Sequence, residues 1–115
     1  MNTVFYTLES TLKDRQLTQS YVNALYEAMQ WIKSHSEDEA WDLLKDNYFS
    51  QLDAAITKNE MAVFKRVWNY DGIVSNEVYE RSRKLYQDPA YDTPDMPYEA
   101  VIDMSFAEAA KKAIG

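Results

Sequence analysis

His35 is the single histidine of the chain, so a multi-histidine metal site or a serine-hydrolase triad would have to be assembled around this one ring. It stands between Ser34 and Ser36, where a helical pattern breaks, which is the setting of a solvated or helix-capping imidazole. No pair among the 19 acidic residues has a signature spacing, and the run Glu37-Asp38-Glu39 lacks the glycine-bearing pattern of an EF-hand calcium loop. Gly72 and Gly115 are the only two glycines, too few for a phosphate-cradling loop. Cysteine is absent, which removes disulfides, thiolate zinc sites and thiol nucleophiles. Catalysis, a cofactor and a metal site are therefore not expected.

Binding is the chemistry that remains. Trp31, Trp41, Trp68 and nine tyrosines could stack on a ligand, although aromatics at helical spacing more often fill a core. Tyr6 and Thr7 lie outside any helical stripe, at the end of a short β-forming run, and open α/β proteins bind ligands beyond the carboxyl ends of strands. They are the specific ligand-contact candidates. Arg81, Arg83 and Lys84 form the one compact basic cluster, expected to cover the solvent side of a helix.

The elements that would position these residues are mainly α, about five to six helices plus one short amino-terminal strand. Val4, Phe5 and Tyr6 are β-branched or aromatic and suggest that strand, which would need a partner that the later sequence hardly supplies. A first long helix is expected over about 18–34, with Tyr21, Leu25, Ala28 and Ile32 on one face and Val22, Tyr26 and Met29 widening it. So broad a stripe implies more than one neighbour. Ser36 and Glu39 have the form of a capping box that opens a second helix bearing Ala40, Trp41, Leu43 and Leu44.

Two further helices are expected, one from Ser50 with Leu52, Ala55 and Ile56 inward, another from Asn59 with Met61, Phe64, Val67 and Trp68 at helical spacing. Gly72 then supplies left-handed backbone, and Ser75 caps a fifth helix to about Tyr86 with Val78, Ser82 and Leu85 on one side. The three prolines between 88 and 97 mark a loop that packs Tyr91 and Tyr98 over the body. Ser105 with Glu108 suggests a second capping box, opening a last helix that buries Phe106, Ala109, Ala110 and Ala113. Residues 1–115 form one unit with no internal repeat.

With 115 residues and 46% apolar composition the chain has material for a packed core. Its 12 basic against 19 acidic residues leave a net charge of −7, a field that repels nucleic acid and anionic membrane. The longest apolar run has four residues, Met61 to Phe64, far below the roughly 20 of a membrane span. The first nine residues lack the basic start and apolar centre of a signal peptide.

The final stretch, Pro97-Tyr98-Glu99-Ala100-Val101-Ile102-Asp103 followed by Ser105-Phe106-Ala107-Glu108-Ala109-Ala110, resembles the carboxy-terminal signature of ABC-transporter substrate-binding proteins of the nitrate/sulfonate/taurine type, a "pyeavvd" segment before a "SfaekA" helix. Residues 3–7 resemble the strand that returns to the first lobe in that family. Residues 21–35 resemble its "fvkAlyrAqkWi" helix, and residues 36–44 the "npeeAaell" helix that follows. Trp68, Asp71, Gly72, Ser75 and Glu77 match its next region in order. The individual motifs are loose and their order is the stronger signal.

The resemblance implies a type 2 periplasmic-binding fold of two α/β lobes that close on a small solute and deliver it to an ABC permease. It implies an extracytoplasmic parent protein, periplasmic or at the cell surface, of which this chain would be the carboxy-terminal part. The sheet of the first lobe and all of the second would then lie elsewhere, and helices deprived of that cover are expected to self-associate. The competing expectation is a small acidic helical protein that works by protein–protein contact through its aromatic faces.

Overall fold

The computed structural model describes residues 4–86 and 94–115, Tyr86 in its backbone only. Seven helices are present among them: α1 Glu9–Leu12, α2 Arg15–Ser34, α3 Glu37–Leu44, α4 Ala54–Val67, α5 Asn76–Tyr86, α6 Tyr98–Val101 and α7 Ser105–Ile114. The mainly α expectation holds. The amino-terminal strand does not form: residues 4–8 are coil, because no second strand exists among the described residues to accept their backbone hydrogen bonds. Much of the proline loop, including Tyr91, lies outside the described residues.

Side-chain caps decide where the helices start. Asp14 accepts the Leu17 amide at 3.0 Å, so α2 begins at Arg15, ahead of the expected 18. Thr18 inside it is occupied with the carbonyls of Asp14 and Thr11. The Ser36/Glu39 box forms in full, the Ser36 amide donating to the Glu39 carboxylate at 2.8 Å and the Glu39 amide to Ser36 Oγ at 3.2 Å. The two helices expected between 50 and 68 are one, since Asp53 caps through the Ile56 amide at 3.0 Å and no breaker follows it before Val67. Ser75 caps α5 through the Val78 amide at 3.3 Å.

The second expected capping box fails. Ser105 is already the first residue of α7, and its amide donates to Asp103 Oδ1 at 2.9 Å. An acid just outside the helix therefore does the work assigned to Ser105 and Glu108.

α7 packs along the first half of α2 and runs in the same direction. Gln19 Nε2 donates to the Phe106 carbonyl at 3.0 Å near the start of both, and the chain end at Gly115 sits against the Tyr26 hydroxyl. α3 packs on α4, α1 on α2 and α5 on α6. The turn after α4 joins these pairs. Gln30 donates to the Tyr70 carbonyl at 2.7 Å, Lys111 reaches Asp71 at 3.2 Å, and Tyr98 donates to the Val74 carbonyl at 2.6 Å.

Gly72 lies in that turn with φ of +67°, a conformation that costs a residue with a Cβ about 1–2 kcal/mol. A Cβ there would meet only the Met29 methyl at 3.5 Å, an ordinary contact. Gly72→Ala is therefore expected to cost about 1 kcal/mol through backbone strain alone, read as a lower urea midpoint at unchanged m. An unchanged midpoint would remove the strain argument.

The core is thin. Tyr26, Ala40, Phe106 and Ala110 are the buried apolar side chains among the described residues. The chain exposes 9023 Å², against about 6,500 Å² for a compact monomer of its mass. Its radius of gyration is 16.9 Å, where a compact chain of this length has about 13 Å. The molecule is a slab 43 × 38 × 23 Å.

Many large apolar side chains are exposed on the helices. On α2 the stripe Leu17, Tyr21, Ala24 and Ala28 is exposed, while the widening residue Tyr26 takes the buried position. On α4 Ile56, Val63, Phe64 and Val67 are exposed, while Thr57 is buried and Lys58, Met61, Ala62 and Lys65 are half-buried. Leu52, Ala55 and Ile56 are thus not inward as the spacing suggested. Leu43 on α3 and Val78 and Leu85 on α5 are likewise exposed, and Ser82 carries the buried side of α5. Periodicity locates such stripes, but it does not say whether a neighbour is present to cover them.

Candidate functional site

Tyr6 and Thr7 sit in the coil before α1, both exposed, Tyr6 at 94%. No hydrogen bond among the described residues engages either side chain. Their neighbour Phe5 meets Tyr21 edge-on, ring centroids 6.3 Å apart, which lays residues 4–8 beside the exposed stripe of α2. An open depression of about 280 Å³ at the start of α2 is lined by Asp14, Gln16, Leu17 and Ser20. Asp14 Oδ1 caps the Leu17 amide there, and Gln16 and Ser20 add further polar groups to the lining.

His35 occupies the helix-end role its setting implied. Its ring stacks on Trp31 at 4.0 Å and 15°, and with the proton on Nδ1 it donates to the Trp31 carbonyl at 2.8 Å. The His35 carbonyl accepts from Lys65 Nζ, which also pairs with Glu37 at 3.6 Å. Nδ1 is thus taken up at the end of its own helix, as in a capping imidazole.

The shifted carboxylates are structural as well. The Ile73 amide holds the Asp71 carboxyl below the usual carboxylate range, with Lys111 adding to the effect. The Ser105 hydroxyl and then its amide lower Asp103, and the Ser36 amide lowers Glu39. Each acid is occupied with a turn or a helix start. Arg81 pairs with Glu77 at 2.6 Å, and Arg83 with Glu80 and Asp95, so the basic cluster is a solvated face. No group of three or more acids or histidines among the described residues could hold a metal ion. No helix there is long and apolar enough to cross a membrane.

Among the aromatics, Tyr26 and Phe106 are core, Trp31 and Trp41 are half-buried, and Tyr21, Phe64 and Trp68 are exposed. The exposed apolar surface comprises two helix faces beside an extended segment whose backbone has no partners among the described residues. Ile56 and Val63 were not recognised from sequence as part of it, although their seven-residue spacing with Val67 four beyond was available as a signal.

No protein-family model matches the sequence, and no solved structure matches it. The chain is 24% identical over 109 residues to "Putative binding protein YtlA" of Bacillus subtilis (strain 168), an alignment that covers 92% of this chain and 32% of that protein. The chain thus spans about a third of the length of the curated relative it matches. The similarity is to a protein named for binding.

Proposed function

We propose that the chain is the carboxy-terminal portion of the solute-binding component of an ABC importer, working by capture and not by catalysis. Residues 4–8 carry this proposal: they are rich in strand-forming types, the backbone of residues 4–7 has no hydrogen-bond partner among the described residues, and they lie beside an uncovered apolar face of α2. Such a segment is an edge strand awaiting a sheet, with α2 as the helix that would cover it. The order of sequence motifs and the greater length of the similar binding protein support the same conclusion.

In the complete two-lobed protein, Tyr6 and Thr7 would reach the ligand from the end of that strand. The solute would be small and anionic or heterocyclic, such as a sulfonate, taurine, nitrate or a thiamine precursor. It favours the closed form only by the contacts it gains there, and the closed complex would then meet the permease outside the cytoplasm. A second function, a small acidic interaction module, draws on the same exposed faces.

Fluorescence titration of the full-length protein, read through Trp31, Trp41 and Trp68, tests the proposal. A saturable response to one of these solutes is expected, weakened about tenfold or more by Tyr6→Ala. A full-length protein indifferent to all of them would overturn it.

A further inference from the structure

We infer that Met104 is an oxidation-sensitive clamp, a modification site at which peroxide converts the thioether to a sulfoxide and so loosens the α5–α6 pair from the start of α7. Val74 lies in the extended link between the Gly72 turn and α5, and both of its backbone polar groups are taken by side chains of the closing segment. Its amide donates to Met104 Sδ at 3.2 Å, and its carbonyl accepts from the Tyr98 hydroxyl at 2.6 Å. Val74 and Met104 are half-buried, so water only partly replaces an acceptor lost there. The adjoining Ile73 amide and carbonyl are held by Asp71 and Asn69 at 2.9 and 2.7 Å, groups inert to peroxide. The thioether is not.

Hydrogen peroxide transfers one oxygen atom to Sδ. A sulfur lone pair forms the S–O bond, the O–O bond breaks, the sulfur is oxidised by two electrons and the peroxide leaves as water. Thioether sulfur is already a weak acceptor, with one of its two lone pairs turned to the Val74 amide. Oxidation at that lone pair puts an oxygen where the amide hydrogen lies. Oxidation at the other leaves a sulfur of positive partial charge facing the N–H. Either epimer removes the sulfur as acceptor, and the polar S–O group favours a side chain swung out of its half-buried place.

The packing shows what the clamp holds. α5 packs on α6, where Tyr79 meets Tyr98 edge-on and donates to the Met96 carbonyl at 2.7 Å. α7 packs on α2, and Met104 immediately precedes α7. The Val74–Met104 bond therefore crosses from one pair to the other, one residue ahead of the Ser75 cap of α5. Its loss opens that junction locally, while Gln19 keeps α2 on the Phe106 carbonyl of α7. Met96 serves as an internal control. It is 41% exposed, its sulfur enters no hydrogen bond among the described residues, and it should oxidise first without effect.

Peroxide treatment of the chain, followed by peptide mass spectrometry and amide hydrogen exchange, tests the clamp. Neither readout involves a solute. As the sulfoxide forms at Met104, exchange across residues 74–85 is expected to rise about tenfold, with α2 unchanged. Met104→Leu, which has no acceptor to lose, should exchange fast there before treatment and no faster after it. A Met104 sulfoxide without faster exchange, or a peroxide response of that segment that persists in Met104→Leu, would overturn the inference. Should Met104→Leu fail to fold, methionine sulfoxide reductases acting on the oxidised native chain decide. Reduction at Met104 should restore slow exchange, and exchange that stays fast after reduction there would count against the clamp.

Discussion

Phe106→Ala is expected to abolish the cooperative unfolding transition of this chain. Phe106 is 4% exposed and belongs to a buried apolar set of four among the described residues. The Arg15 guanidinium lies 4.5 Å over its ring, and Gln19 bonds its carbonyl. Truncating a buried phenylalanine costs about 3–5 kcal/mol, and loss of the cation–π contact adds about 0.5–1 kcal/mol at a site this open. A domain of ordinary stability has about 5–15 kcal/mol, and a slab with a thin core belongs at the lower end of that range. The substitution therefore consumes most of the stability available. Thermal melting followed at 222 nm should show a sharp transition for the native chain and a gradual loss for the variant, with Phe106→Leu between them. A melting point lowered by only a few degrees would mean that α7 does not hold α2 as described.

What could be read from the sequence were the features that are local in the chain. The Ser36/Glu39 box, the Ser75 cap and the left-handed Gly72 each depend on a few consecutive residues, and each is present. Where local signals competed, the stronger acid won: Asp14 starts α2 before Thr18, Asp53 merges two expected helices, and Asp103 displaces Ser105. Properties set by distant residues were less legible. The strand at residues 4–8 has the right residue types but no partner, and Leu52, Ala55 and Ile56, expected inward, are exposed, because periodicity cannot distinguish a covered stripe from an uncovered one. The ligand candidates Tyr6 and Thr7 suffer from the same dependence. A site at the end of a strand takes its shape from a sheet, and no sheet is present among the described residues.

Two adjacent alanines test the orientation of α7 most directly. Ala110→Leu is expected to destabilise the chain by about 1–3 kcal/mol, and Ala109→Leu to change it by no more than about 0.5 kcal/mol. The compositions are identical and both positions were equal candidates for burial by spacing. In the structure Ala110 is 0% exposed between α2 and α7, whereas Ala109 and Ala113 face outward and Ala107 and Ile114 are half-buried. The buried arc thus runs from Phe106 through Ala110 towards Ile114. An isobutyl group at 110 has no void to enter, so it must push the helices apart or adopt a poor rotamer. At 109 the same group meets solvent, and the higher helix propensity of alanine is nearly matched by leucine. Urea midpoints measured side by side separate the two outcomes. If the order were reversed, α7 would have to be rotated by about 100°, which would also carry Phe106 away from Arg15 and Gln19 and remove the contact on which the first prediction depends.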